Sequence, residues 1–117
     1  EDLTIFMLEM MKGQSGQSEL LLSKESYQTL FSQKLDTRPP DMPEREANYG
    51  VFWVWSTSGR IGHTGGDLGS SAFLGFDPDS QTGSILLINT NTDEAGNSAS
   101  ERLTEIVRAY KSFEQAK

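Results

Sequence analysis

Residues 49–89 read YGVFWVWSTSGRIGHTGGDLGSSAFLGFDPDSQTGSILLIN, and the pattern within them decides the fold. Residues 49–55 are rich in aromatic and β-branched side chains, which suit a pleated, half-buried surface. Residues 56–59 supply turn chemistry, and 60–64 make a short second strand. Residues 65–69, GGDLG, hold too much glycine for regular structure. Two further strands follow at 71–76 and 84–89. They are joined by 77–83, DPDSQTG, whose Asp-Pro-Asp start favours a turn. The expectation is an antiparallel meander of about four strands within residues 49–92.

Outward from the sheet the period changes. Leu3, Phe6, Met7, Met10 and Met11 recur at helical spacing, with Asp2 placed as an N-cap and Gly13 near the stop. Ile5 and Leu8 fall off that stripe, so this helix is apolar on more than one side: it has either lost a neighbour or is an ordinary core helix of a small domain. After the flexible GQSGQS of residues 13–18, Ser23 can cap a second helix. Leu22 and Tyr27 stand at its hydrophobic-staple positions, and Tyr27, Leu30 and Phe31 form its inward face. That helix should fade by Asp36, because RPPDMP at 38–43 cannot continue it. At the other end Ser98 and Glu101 are spaced for a capping box, and Leu103, Ile106, Val107, Tyr110 and Phe113 form a stripe that would pack across a sheet. The predicted organisation is a single α+β piece: a helical part at 1–37, a linker at 38–48, the sheet at 49–92 and a C-terminal helix at 97–117.

Composition narrows the function classes. The 117 residues carry 10 Lys and Arg against 17 Asp and Glu, a net charge of −7, which opposes binding to nucleic acid or to an anionic membrane. With 35% hydrophobic and 23% charged residues the chain reads as globular rather than disordered, and no apolar run approaches the roughly 18 residues of a membrane span. Zero Cys excludes disulfides and thiolate metal sites, and one His leaves too few ligands for a transition metal. No metal and no organic cofactor are expected. Glu1 is not an initiator Met, so the chain is expected to be a processed product or a piece cut from something longer.

The chemistry has to be sought in residues 62–71, GHTGGDLGSS, which hold the only His, several hydroxyls and four Gly. Glycine lets a backbone approach a ligand, and free amides there can stabilise a developing negative charge. The bland alternative is that these glycines only make a tight loop between strands. Other motifs fail on spacing. A P-loop needs Lys after its last Gly and a helix behind it, and G-x-S-x-G is absent because the run from Gly69 is GSSAF. Asp77 and Asp79 fit a turn better than a calcium loop.

With Tyr49-Gly50, then Ile61-Gly62-His63-Thr64-Gly65-Gly66, Gly69, the strand ending in Asp77-Pro78 and an apolar strand ending in Asn89, the chain resembles the C-terminal part of the serine β-lactamase and penicillin-binding-protein-like superfamily. The class C and esterase-like branch is the nearest likeness, and it runs over essentially the whole chain. The resemblance implies a hydrolase in which a Ser attacks an acyl carbonyl while a Lys, sometimes with a Tyr, manages the proton. His63 then matches the Lys or His position of the sheet-edge motif, Thr64 its hydroxyl and Gly65 the glycine of close approach. Gly66 matches the residue whose amide forms half of the oxyanion hole. Imidazole titrates near ~6.5 and is a weaker anion anchor than an ammonium, so histidine in place of lysine leans toward ester or peptide substrates over β-lactams.

The nucleophile's own motif is missing. The residues three before the five lysines are Glu9, Leu21, Phe31, Arg108 and Glu114, so S-x-x-K is absent. Y-x-N and S-x-N are absent too, since Glu46, Leu87, Asn89 and Ala95 stand two before the four asparagines. The expected partners are therefore the missing N-terminal part of a parent hydrolase, a small acyl substrate bound by that parent, and a second copy of the chain joined through an exposed sheet edge. The chain alone should be inactive. Export to the periplasm or cell surface is what the family likeness implies. The competing reading is a non-catalytic α+β binding or assembly module.

Overall fold

The computed structural model describes residues 1–90, 105–106, 108–110 and 112. Two helices, α1 (Asp2–Gln14) and α2 (Lys24–Phe31), precede five strands. These are β1 (Glu46–Tyr49), β2 (Val54–Ser56), β3 (Ile61–Asp67), β4 (Ser70–Asp77) and β5 (Thr82–Ile88), and their order in the sheet is β1-β2-β3-β4-β5. Sheet neighbours are chain neighbours, so the connections are short hairpins and the sheet is an antiparallel meander of the α+β class. Contacts divide the chain into two compact units, residues 1–64 with 73–86 and residues 65–72 with 87–117.

The first unit holds the hydrophobic core. Met7, Met10 and Met11 of α1, Tyr27 and Phe31 of α2, and Trp53, Ile61 and Phe76 of the sheet region are all buried in one cluster. Phe31, Trp53 and Phe76 form a mutually touching trio with centroids 5.3–5.8 Å apart, two of the pairs edge to face. Such pairs contribute about 0.5–1.5 kcal/mol each beyond the area they bury. The buried face of α1 is narrower than the expected stripe: Leu3 and Phe6 are exposed along with Ile5 and Leu8, leaving the three methionines inward. Asp2 is the first helical residue rather than the cap, which is Glu1 without a side-chain capping bond. Glu9 is buried beside them. Its Oε1 accepts the Tyr27 hydroxyl at 3.0 Å, and the Ser18 hydroxyl helps hold its carboxyl below the usual carboxylate range.

α2 matches its expectation closely. Ser23 Oγ accepts the Ser26 amide at 3.3 Å as N-cap, and Tyr27 and Phe31 are buried with Leu30 half-buried. The helix stops at Phe31, short of Asp36. The Phe31 carbonyl, exposed by that stop, accepts the Trp55 indole N–H at 2.9 Å.

Two strand expectations need correcting. The run at 49–55 is not one strand, because residues 50–53 turn back between β1 and β2. Gly50 N–H donates to the Trp53 carbonyl at 2.7 Å, and Phe52 takes a left-handed φ of 64°. The linker also ends earlier than 48, since β1 begins at Glu46. Its EANY sequence is short and polar, and a register shift between Glu46 and Asn48 breaks its alternation. Buried Asn48 anchors this edge, with Oδ1 accepting the Leu35 amide at 3.0 Å and Nδ2 donating to the Leu35 carbonyl at 2.8 Å. Arg38 organises the proline-rich stretch by donating to the carbonyls of Met42, Pro43 and Glu46 at 2.9–3.1 Å.

The turn after β4 behaves as its sequence suggests. Asp77 Oδ1 accepts the amides of Asp79 and Ser80 at 2.9 and 3.1 Å, and the Ser80 amide leads the interactions that hold its carboxyl below the usual range. The C-terminal stripe is only partly described. Residues 105–106, 108–110 and 112 are helical, and Ile106 and Tyr110, expected to face inward, are 60% and 58% exposed. The proposed capping pair Ser98 and Glu101, and Leu103, Val107 and Phe113, lie outside the described residues.

Candidate active site

β3 begins as a core strand and ends as an open one. Ile61 is fully buried and pairs with Trp55, and Gly62 pairs with Val54. From His63 onward every residue of the strand is exposed. The expectation that 65–69 would be irregular is therefore overturned for Gly65, Gly66 and Asp67, which remain in β3. Glycine is a poor strand former in isolation, but its backbone fits the ladder once β4 is alongside. Only Leu68 and Gly69 make the turn. Gly69 supplies the φ of 76° that the hairpin demands, and Asp67 Oδ1 accepts the Leu68 amide at 2.7 Å.

The glycines of this segment have different reasons for being glycine. A Cβ on Gly62 would lie 2.9 Å from the Leu74 carbonyl and 3.3 Å from Gly75 Cα, so β3 and β4 approach there too closely for a side chain. Gly69 is required by its backbone angle. Gly65 is required by neither. Its φ is not in the left-handed region, and among the described residues a Cβ there would meet only Ala72 Cβ, at 4.0 Å. Among the described residues neither packing nor backbone angle requires a glycine at position 65.

Gly65 and Gly66 line a groove of about 770 Å³ formed by residues 65–67, 69–72 and 87–89. Of the four motif residues, His63 and Thr64 are exposed earlier on β3, whereas the two glycines are part of the groove itself. The other wall, Leu87, Ile88 and Asn89 at the end of β5, was not legible as part of a site. Apolar residues at a strand end read as core, and only the hairpin topology brings this end back to the β3–β4 turn. Asp67 stands between glycines in the sequence, and the strand that carries it to the groove forms only beside β4.

Chemically, the segment carries an exposed imidazole and an exposed hydroxyl followed by two glycines, on a strand flanked by neighbours in the sheet. Residues 1–108, which include all of the described strands, match the family model Beta-lactamase. The chain belongs to the beta-lactamase family. No curated protein and no solved structure matches it.

Proposed function

We propose that this chain forms the β3 wall of the active site of a β-lactamase-like serine hydrolase of the class C and esterase-like branch, acting on ester or peptide acyl groups. In that reading a serine from outside these 117 residues adds to the acyl carbon, and the negative charge that develops on the carbonyl oxygen is met by the Gly66 N–H. The bond to the leaving group then breaks, and the serine's proton passes through a lysine base to the departing atom; water reverses the sequence and releases the acid. Thr64 and His63 contact the substrate or steady the proton transfer, and Gly65 lets the acyl group reach the strand. No metal or organic cofactor takes part. Export of the parent enzyme accompanies this reading.

The observation that carries it is the bare, sterically undemanded glycine at the start of a groove, within a His-Thr-Gly-Gly strand and a family match. The test is covalent labelling. Incubated with a fluorescent penicillin or an activated ester, the 117-residue chain is expected to show no mass increase, while the product of the complete reading frame gains one acyl group on a Ser of an S-x-x-K motif. An adduct on the isolated chain contradicts the placement of the nucleophile elsewhere. A complete frame without S-x-x-K favours the non-catalytic module.

A further inference from the structure

The charge pattern of the groove goes beyond the acyl-transfer reading, although it rests on that reading. Among the described residues the walls carry no lysine or arginine, and their single ionisable side chain is Asp67. This residue follows directly on Gly66 at the end of β3 and is exposed. Its position is not left to chance, because Oδ1 accepts the Leu68 amide at 2.7 Å and so ties the carboxylate to the hairpin turn at the groove. The rest of the lining is uncharged, with hydrocarbon from Ala72, Leu87 and Ile88. The chain's net charge of −7 adds a long-range field of the same sign.

A fixed carboxylate beside Gly66 penalises any negative charge in the groove. Its effect on the reaction's own oxyanion is common to every substrate and cancels when two substrates are compared. What does not cancel is the charge that a substrate brings with it. We propose that Asp67 is the charge-selecting residue of this site, so that neutral and cationic acyl substrates are accepted and those with a carboxylate near the scissile carbonyl are disfavoured. At separations of several ångströms and a dielectric between those of protein and water, one such charge changes a rate by about tenfold.

The test compares three p-nitrophenyl esters whose acyl ends carry a trimethylammonium group, a methyl group or a carboxylate, hydrolysed by the product of the complete reading frame. The wild type is expected to favour the cationic over the anionic ester by about tenfold in kcat/KM at low salt, and less at 0.5 M salt. Asp67→Asn keeps the acceptor for the Leu68 amide while removing the charge, and should remove most of the preference, leaving the smaller part that the remaining net charge sets. Asp67→Lys should invert it. Asp79→Asn removes an equal charge from the turn after β4 and should leave the ratio unchanged. If the ratio is the same in wild type, Asp67→Asn and Asp67→Lys, the assignment to Asp67 is overturned while the hydrolase reading stands. If none of the three esters is turned over and no Ser is acylated, the hydrolase reading itself fails and takes this inference with it.

Discussion

The two ends of β3 carry glycines three positions apart, and they are glycine for opposite reasons. At Gly62 the strand lies against β4 so tightly that a methyl group would strike the Leu74 carbonyl, and Gly75 on β4 is glycine for the reciprocal reason, since a Cβ added there would lie 3.0 Å from the Ile61 carbonyl. At Gly65 the methyl group would find, among the described residues, only an ordinary contact with Ala72. Packing accounts for the first and does not account for the second. One strand is thus held by the core at Ile61 and presents bare backbone farther along.

Substitutions that remove the core should have the largest effect. Phe76→Ala takes a fully buried ring out of the aromatic trio with Phe31 and Trp53, and is expected to cost about 3–5 kcal/mol in a denaturant melt of the 117-residue chain. A loss below 1 kcal/mol would mean that the trio does not organise the core. Next comes the comparison of the glycines themselves. Gly62→Ala should cost about 1–3 kcal/mol through overpacking against β4, while Gly65→Ala should stay within about 0.5 kcal/mol of wild type. Equal costs at the two positions would break the contrast.

Association is the third expectation. Leu3, Ile5, Phe6 and Leu8 leave an apolar outer face on α1, and β1 and β5 are the sheet's edges. The isolated chain should therefore form dimers or swapped assemblies at high concentration, and Ile5→Glu should shift it toward monomer. A clean monomer by light scattering for the unsubstituted chain counts against this. The smallest effect concerns acid. Asp77 has its carboxyl lowered by the Ser80 and Asp79 amides, so the charged form favours the folded state. That contribution is present above the unfolded carboxyl pKa of about 3.9 and is lost as pH falls through the lower folded value. Asp77→Asn should flatten the decline in stability below about pH 4; an unchanged acid profile would show that the turn does not report on pH.

Much of this was legible in residue types and spacing. Ser23 announces α2, the proline run ends the helical part, and Asp77-Pro78-Asp79 marks its turn because short polar side chains bond their own backbone. The unread parts share a cause, which is that a partner overrides local preference. β1 is too short and polar to stand out, and it exists because β2 pairs with it while Asn48 clamps it to Leu35. Gly65 and Gly66 look irregular alone and are strand beside β4. Phe52 hides a turn inside an aromatic run, since nothing in a phenylalanine signals a left-handed backbone. For the site, the His-Thr-Gly-Gly segment was visible in sequence, whereas the Leu87–Asn89 side of the groove needed the hairpins to bring it there.

The most direct measurement is the acylation rate of the product of the complete reading frame carrying Gly65→Val, read beside its melting temperature. A side chain placed where only a substrate should need room is expected to slow acylation by an activated ester at least tenfold while the melting temperature stays close to that of the unsubstituted enzyme. Unchanged acylation in a folded Gly65→Val enzyme would contradict the claim that the open end of β3 is where the acyl group lies.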